Sequence, residues 1–313
     1  MEHNTSSAQA AHSTPGINWR EVILFSALAY ALSWLYWAPG LWPHLGQILI
    51  TGKTPTDIQA IVGPFGPAIG MFGPLIAALI MRLFVSKEGL KGSLGLWRSW
   101  RYYLIALLAP PLFVGIVILF NHVTGLGPFV WAGKTPFWLA YPLAFLGGLI
   151  SLPLGLGEEY GWRGYLLPRL LPLGEIRASL ILGLIWTFWH LPLLVAGLNY
   201  PGQDLLPVIL VFTFFVVLLA FPFTWLYVAA GGSALIAALL HSTFNIYVDT
   251  FTEPKHIPAG NPLVVDGAGL IAGICLLILV LVVYGLLRRS PQVQDVERLA
   301  RPAGDGTWRD WLR

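Results

Sequence analysis

The chain has 313 residues, of which 56% are hydrophobic and only 11% are charged, whereas soluble domains carry roughly a quarter charged residues. This composition and a mean hydropathy of +0.71 exclude an ordinary water-soluble domain and predict an integral membrane protein in contact with the lipid bilayer. The net charge of +3 does not indicate a nucleic-acid partner, because the basic residues lie in loops between apolar runs and form no single patch.

Eight apolar runs match the length of a membrane-spanning helix, about twenty residues for a hydrocarbon core of about 30 Å. They predict an all-α fold, a polytopic transmembrane helical bundle of about eight spans. In chain order the runs cover residues 22–41, 61–81, 103–120, 138–159, 178–198, 205–228, 233–251 and 264–287. We divide the chain into a polar N-terminal tail (1–20), a transmembrane domain (21–288) and a C-terminal tail (289–313). Residues 1–19 lack the basic segment of a cleaved signal peptide, so we expect the first run to span the membrane.

The basic residues are distributed unevenly between the two ends of these runs. With eight spans, 15 of the 18 Lys and Arg residues fall on one side, and only Lys53, Lys134 and Lys255 fall on the other. Because loops rich in Lys and Arg remain in the cytoplasm, both termini are predicted to be cytoplasmic and the protein to lie in the plasma (inner) membrane.

The fourth run ends in two acidic residues, Glu158 and Glu159, followed by Arg163. An ionisable group at membrane depth is costly, which makes it a candidate functional residue. Residues four apart share a helix face, so Glu159 is expected to pair with Arg163 while Glu158 faces elsewhere and is available as a general base. The alternative is a structural ion network at the end of the helix.

Two of the seven histidines, His190 and His241, lie inside apolar runs, the fifth and the seventh. Pro192 is expected to kink or loosen the helix around His190. Asn245 lies four residues after His241, on the same helix face. A lone buried histidine is commonly a hydrogen-bonded core residue, but two of them together with Asn245 favour a site.

These residues form three ordered motifs. Glu158, Glu159 and Arg163 match Glu-Glu-x-x-x-Arg, Trp186 and His190 match Phe-x-x-x-His with Trp for Phe, and His241 and Asn245 match His-x-x-x-Asn. The set resembles the CAAX prenyl protease and bacteriocin-processing family (CPBP, also called ABI), which includes the type II CAAX prenyl endopeptidases. The resemblance covers about residues 143–248.

The resemblance implies an endopeptidase that cleaves a peptide or membrane-protein substrate near the cytoplasmic membrane face. Glu158 and His190 would activate water, and His241 and Asn245 would stabilise the oxyanion, with Glu159, Arg163 and Trp186 in support. Family members are regarded as metalloproteases. Glu158, His190 and His241 are the candidate ligands of a divalent metal such as zinc, although the zincin pattern His-Glu-x-x-His is absent and a metal-free mechanism stays open.

Other functions could also use buried polar residues of this kind. A proton-coupled transporter also uses buried Glu and His, but usually contains a repeat with paired broken helices, and none is apparent. A non-catalytic immunity or scaffold protein could retain the motifs. Serine chemistry is disfavoured because Ser233 is better explained as a helix N-cap, and aspartyl chemistry because Asp249 and Asp266 lie at outer helix ends. Cys275 is expected to serve packing alone.

Overall fold

The computed structural model describes residues 16–63 and 65–287, and most of these residues are helical. Apart from one isolated bridge between Lys53 and Asp204, they contain no β-structure. The helices are α1 (Trp19–Leu41), α2 (Leu45–Thr51), α3 (Ile58–Val62), α4 (Gly66–Gly70), α5 (Gly73–Ile80), α6 (Trp100–Thr124), α7 (Phe137–Ile150), α8 (Leu152–Gly161), α9 (Leu167–Leu170), α10 (Glu175–Trp189), α11 (Leu191–Val195), α12 (Leu205–Ala229), α13 (Ala234–Phe251), α14 (Pro262–Val265) and α15 (Leu270–Val282). The all-α prediction is confirmed. The predicted C-terminal tail and residues 1–15 of the predicted N-terminal tail lie outside the described residues.

Six helical stretches of the described chain are long and apolar enough to cross a membrane, and a seventh is obtained if the bent pair α7 and α8 counts as one span. The predicted run 178–198 is helical but divided between α10 and α11, so it does not meet that length. The number of spans and the side of the termini therefore stay predictions. Large apolar side chains such as Leu35, Leu108 and Leu210 are exposed on these helices, as expected for surfaces that face lipid.

Helix ends follow local chemistry. The Ser233 hydroxyl accepts a hydrogen bond from the backbone N–H of Ile236, at 3.1 Å, which confirms the predicted N-cap of α13. Helix α10 ends at Trp189, one residue before His190, and α11 begins with Leu191 and Pro192. Because proline has no N–H and its ring clashes with the preceding turn, the predicted disruption around His190 is present.

Helix α13 lies at the centre of the bundle, with 72% of its residues buried, compared with 28–44% in the other five apolar stretches. It packs against α6, α7, α8 and α12. A close approach of α8 is possible because a Cβ at Gly155 would lie 2.6 Å from the carbonyl oxygen of Ala238. The central helix therefore carries His241 and Asn245 into the middle of the protein, beside the helix that carries the two glutamates.

Candidate active site

The fourth predicted span is broken into two helices, and Glu158 and Glu159 lie on the second of them. Helices α7 and α8 meet at an angle of 56°, where Ser151 precedes Leu152 and Pro153. Pro153 has no N–H to donate to the preceding turn and its ring clashes with that turn, which accounts for the break. Helix α8 carries Glu158 and Glu159, both buried, near its end at Gly161, and the chain continues as a π-helical turn, Trp162–Leu166.

Glu159 is fixed by two cationic or polar partners. Arg163 Nη1 donates to Glu159 Oε1 at 2.8 Å, as the spacing predicts, and His241 Nδ1 donates to the same oxygen at 2.7 Å. The Arg163 guanidinium lies 4.4 Å from the ring centres of both Trp186 and Phe223. Glu159 and Arg163 are fully buried and His241 is nearly so, and the three side chains therefore depend on one another for charge compensation.

Glu158 has a different environment, because its two carboxylate oxygens are not equivalent. Oε2 accepts hydrogen bonds from the indole N–H groups of Trp186, at 2.8 Å, and Trp162, at 3.3 Å. Oε1 accepts none from the described residues and lies 3.9 Å from His241 Nε2. Glu159 Oε2, by contrast, is sealed in the protein without a described hydrogen-bond partner. One oxygen is thus anchored, and the other is available.

The hydrogen bonds of the two histidines fix which ring nitrogen carries a proton. His241 Nδ1 faces a carboxylate paired with arginine, and His190 Nδ1 lies 2.8 Å from the carbonyl oxygen of Trp186. Because both partners only accept hydrogen bonds, each Nδ1 is the donor. In the neutral rings, each Nε2 is therefore an acceptor, and neither Nε2 hydrogen-bonds to a described residue.

His190 is close to the group but not to the Glu158 carboxylate. Its ring packs against Trp186, Trp189 and Phe212, with centroids 5.8, 4.7 and 5.1 Å away. Trp186 also contacts the His241 ring at 5.5 Å, so one indole packs against both imidazoles. Among the described ion pairs, the histidine within reach of Glu158 is His241.

Asn245 is half-buried on α13, one helical turn from His241. Its amide makes no hydrogen bond to any described residue, and it is not sealed from solvent. Among the predicted site residues, Asn245 is therefore a neutral N–H donor whose amide is not used in a described hydrogen bond.

The candidate metal ligands Glu158, His190 and His241 do not form a coordination group. Within the described part of the chain, no three His, Cys, Asp or Glu side chains converge in a way that could hold a metal ion. His241 uses Nδ1 for Glu159, and its Nε2 is held 3.9 Å from the carboxylate of Glu158. Zinc sites in proteins use at least three protein ligands, and the described residues do not bring a third His, Cys, Asp or Glu side chain to this pair in a way that could hold a metal ion.

One segment of the chain is similar to a known protein family. Residues 137–247 match a family model described as type II CAAX prenyl endopeptidase, Rce1-like. Through this segment the chain is similar to the Rce1-like family. No curated protein matches the chain. The Rce1-like segment begins with α7 and ends within α13, so it contains every predicted site residue. The match supports a membrane protease of the CAAX type, in agreement with the motifs.

The Rce1-like site also contains residues that the motifs do not include. The indole of Trp162 donates a hydrogen bond to Glu158. The sequence could have predicted this contact, because residues four apart lie on one helix face. Phe223, which covers Arg163, lies in the uniformly apolar α12. No feature of that sequence distinguishes Phe223 from its neighbours.

Proposed function

We propose that this protein is a glutamate-dependent intramembrane endopeptidase that hydrolyses peptide bonds near the cytoplasmic face of the plasma membrane. The observation that carries the proposal is the asymmetry of Glu158, whose Oε2 is anchored by two indoles while Oε1 faces His241 Nε2 at 3.9 Å. A free, buried carboxylate oxygen beside an imidazole acceptor is the arrangement that a general base requires.

The nucleophile in this proposal is a water molecule between Glu158 and His241. A gap of 3.9 Å is too long for a direct hydrogen bond but allows one water to donate a hydrogen to Glu158 Oε1 and the other to His241 Nε2. Glu158 takes one proton as the water oxygen bonds to the scissile carbonyl carbon. When the C–N bond breaks, Glu158 returns the proton to the departing amine nitrogen, which leaves a free carboxyl group and a free amine.

Asn245 is the proposed donor to the oxyanion that forms during this attack. An oxyanion needs an N–H or O–H donor, and both histidines present acceptor nitrogens in their neutral state. The resemblance implies that His190 assists Glu158 and that His241 assists Asn245. The distances favour the opposite assignment, in which His241 orients the water and His190 packs against Trp186.

The substrate in this proposal is a peptide or membrane protein that reaches the site from the bilayer or its cytoplasmic surface. The metal dependence implied by the resemblance is not part of the mechanism, because the candidate ligands do not converge among the described residues. Every step uses side chains of the Rce1-like segment.

The decisive experiment is Glu158→Gln, which preserves size and an acceptor oxygen for the indoles but removes the base. Membranes that contain the wild type or the variant are compared by proteomics for cleaved peptides, and a substrate found in this way is assayed with purified protein. We expect a loss of about 10²–10⁴-fold in cleavage rate. Glu253→Gln, at an exposed loop carboxylate paired with Lys255, is the control and should cleave normally. Normal cleavage by Glu158→Gln would refute the proposal.

The same variant distinguishes the rival functions. If no peptide is cleaved but proteoliposome uptake of a solute depends on Glu158, the protein is a transporter. A Glu158→Gln chain that still produces the cellular phenotype would identify a non-catalytic immunity or scaffold protein.

A further inference from the structure

The anchor of Glu158 consists of two indole N–H groups that donate to the same oxygen. Trp162 reaches it from one turn further along the same helical stretch, and Trp186 from α10. These are the hydrogen bonds that Glu158 makes with described residues, so they determine the rotation of the carboxylate. Because both donors are buried, water does not compete for Oε2, and hydrogen bonds to a charged acceptor are roughly twice as strong as neutral ones.

The indoles themselves are held firmly. The Trp162 ring has edge-to-face contacts with Phe25 and Trp189, with centroids 5.6 and 5.8 Å away. The Trp186 ring contacts the imidazoles of His190 and His241 and lies under the Arg163 guanidinium. Rotation of either indole would break several packed contacts at once.

An unfilled pair of donors explains why Glu158 needs such an anchor. Arg163 Nε and Nη2 are sealed in the protein and have no hydrogen-bond partner among the described residues. A second carboxylate nearby would be attracted to them, since an arginine can bind a carboxylate through two parallel hydrogen bonds. If Glu158 turned to Arg163, its Oε1 would leave the space beside His241 Nε2.

We propose that Trp162 and Trp186 act as positioning residues, an indole clamp that holds Oε2 of Glu158, keeps this glutamate away from Arg163 and leaves Oε1 directed at the nucleophilic water. The catalytic part of this inference rests on the proposed function. A phenylalanine at position 186, the residue type of the family motif, would supply the ring contacts but not the N–H. The tryptophan therefore performs a task in this chain that the motif residue cannot perform.

The kinetic test compares Trp186→Phe and Trp162→Phe with Trp37→Phe. Trp37 is also fully buried and also donates an indole N–H, to the carbonyl oxygen of Gly66 at 2.8 Å, but it does not contact Glu158. We expect Trp186→Phe to lower kcat by about 10-fold to 100-fold, the equivalent of one charge-assisted hydrogen bond, with KM changed less than twofold. Trp162→Phe, with the longer bond, should have a smaller effect, and Trp37→Phe should retain kcat. Equal kcat in all three variants would overturn the clamp.

A spectroscopic test is independent of catalysis. In protein labelled with ¹⁵N at the indole nitrogens, the resonances of Trp162, Trp186 and Trp37 are assigned by the three Phe variants. Glu158→Gln removes the charge that both clamp indoles face, so their two resonances should shift while that of Trp37 stays in place. If neither resonance moves, the clamp is wrong even when Glu158→Gln is inactive. If both move while Glu158→Gln still cleaves, the clamp stands and the proposed function fails.

Discussion

At the scale of single residues, one asparagine is a proposed catalytic donor and another makes a structural hydrogen bond. Asn245 is half-buried without a hydrogen-bond partner among the described residues, whereas the buried Asn121 donates to the carbonyl oxygen of Val265 at 2.9 Å. We expect Asn245→Ala to lower kcat by about 10²–10³-fold with no loss of thermal stability, because it removes an oxyanion donor and no structural bond. Asn121→Ala should lower the thermal midpoint and retain kcat in the folded protein. The proposed role of Asn245 fails if its variant cleaves as fast as the wild type.

Arg163 is a second residue whose removal has a defined cost. Without its guanidinium, Glu159 would remain buried with His241 as its one described hydrogen-bond donor. Loss of one partner from a buried ion pair costs about 3–5 kcal/mol. We therefore expect Arg163→Met to lower the free energy of unfolding by this amount, measured in detergent with chemical denaturant. Adding Glu159→Gln should recover part of the loss, because no uncompensated charge remains. If the single and double variants are equally destabilised, the pair is not the cause.

At the scale of helices, the contact between α8 and α13 determines how Glu158 faces His241. A methyl group at Gly155 would lie 2.6 Å from a backbone oxygen of α13, which cannot move as a flexible side chain would. We expect Gly155→Ala to separate the helices and destabilise the protein by about 1–3 kcal/mol, with a loss of activity in the remaining folded protein. Gly46→Ala in α2, where no atom lies within 4 Å of the added carbon, is the matched control and should be neutral or slightly stabilising.

This contact also shows which features the sequence could predict. The apolar runs located the helices to within a few residues, because burial in lipid requires length and hydrophobicity alone. The spacing of Glu159 and Arg163 predicted their ion pair, because it lies within one helical stretch. The histidine that faces Glu158 depends on how α8 and α13 are rotated relative to each other at Gly155. The spacing of apolar residues in the sequence does not predict that rotation. Hydropathy could not predict that His241 rather than His190 would be within 3.9 Å.

A further group of charges shows the same limit. One ion network joins four residues that the apolar runs place in loops or at span ends: Glu21, Arg82, Glu88 and Arg169. Arg82 and Glu88 lie 2.6 Å apart, and so do Arg169 and Glu21. Arg82 additionally donates to the carbonyl oxygen of Gly164, beside Arg163. The network joins the start of α1, the end of α5 and the end of α9, so it supports the site helix from the predicted cytoplasmic side.

At the scale of the whole molecule, one contact bears on the path of the chain through the membrane. Lys53 and Asp204 form an antiparallel bridge and an exposed ion pair of 3.8 Å. Their segments therefore lie on the same side of the membrane. In the eight-span prediction, residue 53 follows the first span and residue 204 follows the fifth, so both are outside. The Lys53–Asp204 contact therefore agrees with the eight-span prediction only if α10 and α11 together cross the membrane, although neither helix is long enough to do so alone.

Cysteine labelling tests this path. In a Cys275→Ser background, which removes the single native thiol, one cysteine is placed at Lys53, Lys91, Arg177 or Asp204, all exposed positions. A membrane-impermeant maleimide applied to intact cells should label positions 53 and 204, and should label 91 and 177 only after permeabilisation, because the positive-inside rule retains the basic loops in the cytoplasm. Labelling of positions 177 and 204 from the same side would show that α10 and α11 form a re-entrant segment. Labelling of position 91 in intact cells would reverse the predicted orientation.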